Sequence, residues 1–238
     1  MKDFFADKPY PGRFIIVGGD AGSAAIIYGA TGRSPSSLAR RFVEQGDGIY
    51  MAAVDATVAI KGNPDLLEYP AVKFFDNGVV AANGNHIDLV ESLGTVGGAL
   101  ESLTSPFRDS VTYEPDEYHT PRITGCVLET EHGFDAALHA VSAGSQGEPQ
   151  TSFWEVPFEE GKGLYVSTYT GEDVRPTPPF SGDPLRVSLQ YGSPEKAAQE
   201  VYQALAPKEG KSDYRVGVVA AYKTPGQDVQ TYIINRLT

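Results

Sequence analysis

Short apolar runs separated by glycine-rich turns dominate the first third of the chain. Residues 13–17 (RFIIV) and 24–28 (AAIIY) flank the sequence GGDAGS, and this arrangement predicts a β-hairpin. Two further strands are predicted at residues 48–55 and 79–82, the second of which ends at an Asn-Gly turn. This part of the chain is therefore expected to be built from strands.

Apolar runs of the same kind recur through the rest of the chain. They predict strands at residues 122–129, 136–142, 163–170, 185–190, 214–222 and 229–235. Many strands with few helices, not in strict alternation, indicate the α+β class with mainly antiparallel sheet. Since no linker, repeat or low-complexity tract interrupts the sequence, we predict one domain over residues 1–238.

Two segments carry a helical pattern. Apolar side chains recur at helical spacing in residues 88–103, although three glycines weaken that pattern, and Asp88 is placed to be its N-cap or first-turn acid. The clearer helix lies in GSPEKAAQEVYQALAPKEG, where Ser193 suits the N-cap and Pro194 the first helical position. Pro207, with a glycine three residues later, is expected to close it.

Composition narrows the class of protein. Of 238 residues, 41% are hydrophobic, which is ample for a core, and the net charge of -12 disfavours a nucleic-acid partner. No apolar run approaches the length of a membrane span, and the first residues carry no signal-peptide pattern. The single cysteine, Cys126, lies in an apolar run and is expected to be a buried thiol. We therefore expect a soluble cytoplasmic protein.

Several familiar catalytic motifs are missing from the sequence. The glycine clusters GGDAGS and GATGRS lack the spacing of nucleotide-binding loops and are predicted to be turns. There is no G-x-S-x-G nucleophile elbow, and the four histidines do not show metal-ligand spacing. The sequence therefore predicts no metal site.

Two polar segments stand out as candidates for chemistry. TGRSPSSLARR, residues 31–41, offers three arginines beside serine hydroxyls, in a region that is locally basic although the chain is acidic. Guanidinium and hydroxyl groups suit a phosphate or carboxylate. TYEPDEYHTPR, residues 112–122, lies in a long proline-bearing loop predicted at 105–121 and crowds three acids together. Neighbouring carboxylates raise each other's pKa, which suits acid–base chemistry. Taken singly, each segment is better explained as a plain surface loop.

The order of several motifs resembles the archaeal-type IMP cyclohydrolase family. They are YPGR (10–13), GRS followed by an arginine (32–40), YPAVK (69–73), ANGNHIDL (82–89), YEPDEYHTPRI (113–123), LYVSTY (164–169) and, more weakly, GSPEKAAQE (192–200). The resemblance implies a four-layer αββα sandwich of the N-terminal-nucleophile hydrolase type. The chain begins Met-Lys-Asp, so we expect the scaffold to work without the nucleophile of that superfamily.

The resemblance also implies a reaction. In it, 5-formamidoimidazole-4-carboxamide ribotide (FAICAR) closes its ring to IMP and loses water, with no cofactor. The carboxamide nitrogen attacks the formyl carbon, a tetrahedral intermediate forms, and the formyl oxygen leaves. Catalysis then needs close positioning of the two groups, donors for the oxyanion and a proton shuttle. The expected partner is a small-molecule nucleotide, and a homo-oligomer is compatible with the fold.

Roles follow from the matched positions. Tyr69 matches the family's tyrosine and is expected to donate to the formyl oxygen and shuttle its proton. Glu114 is expected to orient or deprotonate the carboxamide, and Arg40 to stabilise charge or bind phosphate. The residues expected to bind substrate are Arg13, Arg33, Lys73, Asn83, His86 and Arg122.

Two departures from the family pattern leave other functions open. Pro70 replaces the usual asparagine after the tyrosine, which removes a side-chain donor and a backbone N–H. Lys73 replaces an arginine and loses its bidentate fork. A nucleotide-binding relative without activity and an amide hydrolase on the same fold are therefore the alternatives.

Overall fold

Two antiparallel β-sheets form the centre of the molecule. The computed structural model describes residues 1–54, 64–94 and 97–237. The strands of the first sheet are β1 (Arg13–Asp20), β2 (Ser23–Thr31), β10 (Lys162–Ser167), β11 (Leu185–Ser188), β12 (Arg215–Lys223) and β13 (Gln230–Asn235). Their order across the sheet is β11-β10-β1-β2-β12-β13, and every neighbouring pair runs antiparallel.

The second sheet is a meander in which each strand pairs with the next along the chain. Its strands are β3 (Arg40–Gln45), β4 (Gly48–Ala53), β5 (Tyr69–Phe75), β6 (Gly78–Ala82), β7 (Arg122–Thr130), β8 (Gly133–Ala143) and β9 (Pro149–Glu155). Their order across the sheet is the sequence order from β3 to β9, and all pairs are antiparallel.

Helices cover the outer faces of the sheets. The two longest in the described ranges are Ala99–Phe107 and Pro194–Ala204. The shorter ones are Lys2–Phe5, Pro35–Leu38, Pro64–Leu67 and the 3-10 helix Asn85–Leu89. None of the helices described is long and apolar enough to cross a membrane.

Alternation along the strands explains the layering. In β1, Ile15 and Val17 point into the core between the sheets, whereas Phe14 and Ile16 pack under the helix Pro194–Ala204. A third core, containing Cys126, lies between the second sheet and the helix Ala99–Phe107. Three cores separate four layers, so the predicted αββα arrangement of an α+β sandwich is confirmed. The further likeness to N-terminal-nucleophile hydrolases stays a prediction.

The predicted strands are confirmed, with small differences at their ends, and residue 55 lies outside the described residues. The β1–β2 hairpin turns at Ala21 and Gly22, which both have positive φ (53° and 75°), the geometry of a two-residue turn. Cys126 is fully buried, as expected. Three strands were not predicted, namely β3, β5 and β9.

One helix was predicted correctly and one was misplaced. Ser193 caps the helix Pro194–Ala204 by accepting a hydrogen bond from the Lys196 backbone N–H at 3.3 Å, as expected, although the helix ends at Ala204, before Pro207. The helix predicted over residues 88–103 is wrong. Asp88 lies inside the 3-10 helix, and the α-helix starts only at Ala99, because glycines are poor helix formers. Residues 95 and 96 lie outside the described ranges.

Two histidines are buried beneath the helix Ala99–Phe107. His139 on β8 stacks against Phe107 and Phe153, each with its ring centroid 4.9 Å away. Burial lowers the pKa of His139 to about 3. Burial, then the charge of Arg122 and the neighbouring His139, lowers the pKa of His86 well below its usual value. Both imidazoles are therefore neutral in the folded protein at neutral pH.

We expect these histidines to make the fold sensitive to acid. The unfolded chain binds a proton at His139 below about pH 6.5, whereas the folded chain does not until about pH 3, so stability falls as the pH drops through this window. In His139→Leu, the loss of unfolding free energy between pH 6 and pH 5 should shrink by about 1 kcal/mol. Urea unfolding at the two pH values measures this difference. The same change at the exposed His132 should have no such effect, and equal slopes in both variants would contradict the assignment.

Candidate active site

A buried ion pair joins the two sheets at one end of the sandwich. Arg13, the first residue of β1, donates through Nη2 to Oε1 of Glu114, whose side chain is 3% exposed. Glu114 lies in the loop between the helix Ala99–Phe107 and β7. Burial is the largest single effect on Arg13 and lowers its pKa, but the Glu114 charge and the neighbouring tyrosines together raise that pKa well above its usual value. Arg13 therefore stays charged despite its burial.

Asn83 connects this ion pair to the sheet. It follows β6 directly, and its Nδ2 donates to Glu114 Oε1 at 3.0 Å and to the Pro121 carbonyl at 2.9 Å. Its Oδ1 accepts from the Ile123 backbone N–H at 2.7 Å. The side chain of Asn83 thus ties Glu114 and the C-terminal end of its loop to the start of β7.

Two tyrosine hydroxyls meet next to the ion pair. Tyr28 on β2 and Tyr69 at the start of β5 face each other across the inter-sheet core, with their oxygens 2.8 Å apart. Tyr28 is fully buried, and burial together with Tyr69 raises the pKa of its hydroxyl well above the usual value. Both tyrosines interact electrostatically with Arg13. The pair therefore places two hydrogen-bonded hydroxyls beside a fixed positive charge.

Arg122 reaches the same cluster from the start of β7. Its charge interacts with Glu114, Arg13 and Tyr69, and burial lowers its pKa. One of its nitrogens, Nη1, lies 3.4 Å from His86 Nδ1. Arg122 is therefore placed between the ion pair and the buried histidines.

A second pair of tyrosines, Tyr169 and Tyr10, lies near Arg13. Tyr169 donates a hydrogen bond at 2.8 Å to the hydroxyl oxygen of Thr120, because the hydroxyl hydrogen and the backbone N–H of Thr120 are both donated to Asp116. Tyr10 stacks on Tyr169 with ring centroids 5.6 Å apart. In this loop, Glu114 and Asp116 therefore bind different donors, which is a simpler arrangement than the crowded carboxylates expected from the sequence.

The two arginines of the GRS segment are placed differently. Arg40 is buried, donates to the carbonyls of Ser37 (2.9 Å) and Leu66 (3.4 Å), and acts electrostatically on Tyr28. Arg33 donates to the Val174 carbonyl and lies over the ring of Tyr10 at 4.1 Å. Arg40 therefore adjoins the tyrosine pair, whereas Arg33, as far as the described residues show, is connected to the cluster through Tyr10.

Lys73 lies on the other face of the second sheet. Its Nζ is 3.5 Å from Asp88 Oδ1 and 3.4 Å from the Val90 carbonyl, beside the 3-10 helix. Within the described residues, no contact brings it to the Arg13–Glu114 pair. Pro70 occupies an irregular point in the β4–β5 ladder, where the register shifts, so the missing backbone N–H is tolerated there.

Sequence reasoning missed Tyr28, Thr120 and Tyr169. Tyr169 belongs to the LYVSTY motif, so it could have been chosen from the sequence. Tyr28 is the last residue of an ordinary apolar run, and only the pairing of the sheets shows that it meets Tyr69. No three His, Cys, Asp or Glu side chains in the described ranges are grouped to hold a metal ion.

The arrangement suits proton transfer at a carbonyl group. Hydroxyl donors, a carboxylate with fixed orientation and two guanidinium groups converge on one place. Together they can polarise a carbonyl, orient an amide and hold an anion.

Comparisons with known proteins agree with this chemistry. Residues 10–227 match the family model described as IMP cyclohydrolase-like protein. The IMP cyclohydrolase of Thermococcus kodakarensis is 27% identical over 194 residues, covering 82% of this chain and 85% of that protein. That of Methanococcus maripaludis is 28% identical over 67% of this chain and 74% of the relative. That of Haloarcula marismortui is 30% identical over 58% of this chain and 62% of the relative.

The family match spans most of the chain and contains every residue of the cluster described above, from Tyr10 to Tyr169. This chain therefore belongs to the IMP cyclohydrolase-like protein family.

Proposed function

We propose that this protein closes the ring of FAICAR to form IMP with loss of water. The observation that carries the proposal is the Tyr28–Tyr69 hydroxyl pair beside the buried Arg13–Glu114–Asn83 group. These are the groups that ring closure needs at the formyl oxygen and at the carboxamide. The related proteins named IMP cyclohydrolase support the same reaction.

Glu114 orients the attacking carboxamide. Among the described residues, its side-chain hydrogen bonds all reach Oε1, from Arg13 and Asn83. Oε2 is therefore the atom that accepts an N–H of the carboxamide and directs the nitrogen lone pair toward the formyl carbon. As the C–N bond forms, the nitrogen becomes acidic, and Glu114 is placed to receive its proton.

Tyr69 serves the formyl oxygen. Its hydroxyl donates to the oxygen as negative charge develops there, while Tyr28 donates to the oxygen of Tyr69 at 2.8 Å. Arg13 and Arg40 place positive charge beside this pair, which stabilises the developing oxyanion. The proton that Glu114 received then completes the departing water as the C–O bond breaks. The former formamide nitrogen passes its proton to the Tyr69 oxygen as the C=N bond of the new ring forms, which restores both groups.

The two departures from the family pattern lie outside the cluster. Lys73 faces the 3-10 helix, and Pro70 sits in the strand irregularity without disturbing the Tyr69 hydroxyl contact. Both therefore leave the proposed chemistry intact, which argues against a relative that only binds nucleotide.

The remaining assignments belong to the same proposal. Arg13 and Asn83 shape the substrate site from within the cluster, whereas Arg33 and Lys73 would have to exchange their present partners to reach a substrate. We include one domain over residues 1–238, a cytoplasmic location, and a reaction that needs no cofactor.

Replacing Tyr69 tests the proton shuttle. In Tyr69→Phe, we expect turnover to fall at least about tenfold, because the donor to the formyl oxygen is lost, while IMP affinity changes little. Formation of IMP from FAICAR, followed by chromatography in chelator-treated buffer, gives the rate. Tyr232→Phe, on β13 in the outer core, should keep the wild-type rate. Full activity in Tyr69→Phe would exclude the assigned role.

Replacing Glu114 tests the carboxamide contact. Glu114→Gln keeps the shape but loses the charge, and we expect kcat to fall about a hundredfold, within the range of general-base effects. The exposed Glu117 of the same loop is the matched control, so Glu117→Gln should leave kcat unchanged. Steady-state rates of both variants decide the point, and equal kcat values would remove Glu114 from the mechanism.

A further inference from the structure

Arg122 differs from the other candidate cations in its partners. Arg13 is paired with Glu114, and Lys73 lies beside Asp88. Arg33 lies 3.7 Å from Asp173. In the part of the chain that the structure describes, Arg122 makes no ion pair, and the hydrogen bond it donates goes to a neutral imidazole, that of His86. Arg40 likewise makes no ion pair among the described residues, but its guanidinium donates to the carbonyls of Ser37 and Leu66. Of these cations, Arg122 is therefore the one whose described hydrogen bond reaches neither a carboxylate nor a carbonyl, and its positive charge is available to a ligand.

The hydrogen bond from Arg122 fixes the tautomer of His86. A guanidinium group only donates, so His86 Nδ1 must accept at 3.4 Å, and the ring proton is on Nε2. Nε2 then donates to the hydroxyl of Thr124 at 2.9 Å. The opposite tautomer would set two donors against each other at Arg122 and is therefore disfavoured.

The same logic continues to His139. Since the Thr124 oxygen accepts from His86, its own hydrogen is free to donate to His139 Nδ1, 3.4 Å away. The proton of His139 is then on Nε2, a buried atom without a hydrogen-bond partner among the described residues. Burial keeps both rings neutral, so each ring has one nitrogen with a lone pair, and the hydrogen bonds from Arg122 and Thr124 assign that lone pair to Nδ1.

Gly84 provides the space for this arrangement. A side-chain carbon at position 84 would collide with Arg122 Nη1 and approach His86 Nδ1 to 3.5 Å. Because Gly84 has no side chain, the Arg122 guanidinium can lie against the Gly84 backbone. In that position it lies between His86 and Glu114.

We infer that the histidine chain, Arg122–His86–Thr124–His139, positions the Arg122 guanidinium to bind the phosphate of the substrate. The inference rests on the proposed function, which supplies a phosphorylated ligand. His86, Thr124 and His139 are positioning residues in this scheme, and Arg122 is the group that touches the ligand. His86, which was expected from the sequence to bind substrate, thus contacts Arg122 instead of the ligand.

A comparison of IMP with inosine isolates the phosphate. The two molecules share base and sugar, so the ratio of their Kd values measures the phosphate contact, whereas general damage to the site weakens both. Calorimetric titration should show that wild type prefers IMP and that Arg122→Met reduces this ratio by about tenfold or more, the effect of losing a charge-assisted contact. Arg186→Met, at an exposed arginine of β11, removes the same charge and should leave the ratio unchanged.

Two substitutions at Thr124 test the histidine chain itself. Thr124→Val removes the hydroxyl at nearly constant volume, and we expect it to reduce the IMP-to-inosine preference, whereas Thr124→Ser should retain it. Nitrogen-15 NMR of the ligand-free protein should show His86 protonated at Nε2 in wild type and in Thr124→Ser. If Thr124→Val keeps the same preference as Thr124→Ser, or if His86 carries its proton on Nδ1, the histidine chain is excluded.

The outcomes separate the two proposals. If wild type prefers IMP to inosine and Arg122→Met keeps the same preference, this inference is contradicted and the proposed function is not. Wild type that neither binds IMP nor converts FAICAR contradicts the proposed function, and the phosphate assignment falls with it. Loss of preference in Arg122→Met and Thr124→Val, with retention in Arg186→Met and Thr124→Ser, supports both.

Discussion

The buried ion pair between Arg13 and Glu114 is the constraint on which this end of the molecule depends. Two charges withdrawn from water are costly unless their remaining hydrogen-bonding atoms are satisfied and their geometry is fixed. Here Asn83 supplies part of that support. It can do so only because the end of β6, the start of β7 and the Glu114 loop lie next to one another. Removing one partner of such a pair costs about 3–5 kcal/mol in comparable cases.

That requirement also fixes the neighbouring hydroxyls. Arg13 begins β1, which pairs with β2 in a register that sets Ile15 opposite Tyr28. Tyr69, on the second sheet, lies opposite Tyr28 across the core, so their hydroxyl groups meet. The tyrosine pair is therefore a consequence of how two sheets stack, and the charge of Arg13 beside it is part of the same packing.

The apolar pattern predicted most of the fold because most strands are buried on at least one face. It failed for the strands whose composition hides them. β3 begins with two arginines, β5 contains a proline at a register shift, and β9 is a polar edge strand. The helix prediction before Ala99 failed for a related reason, since the spacing of apolar residues does not show where glycines end a helix.

The site was predictable only where its residues belong to ordered motifs. Tyr69, Glu114, Arg13, Asn83 and Arg122 were chosen from those motifs, and the structure brings them together, although their catalytic and binding roles stay proposals. Tyr28 and Thr124 carry no such signal, because their partners come from other strands. Lys73 was grouped with the others by its neighbours in the chain, although it points to the opposite face of its sheet.

Alternation in β7 explains how the outer core can influence the site. Ile123 faces the core between the sheets, whereas the next residue, Thr124, faces the outer core under the helix Ala99–Phe107. Thr124 lies opposite His139 in the β7–β8 ladder. Arg122, at the end of the strand, contacts both sides. Because Phe107 and Phe153 enclose His139, that ring is held neutral and in place. The helical layer therefore stabilises the fold and also encloses His139, the last residue of the hydrogen-bond chain that begins at Arg122.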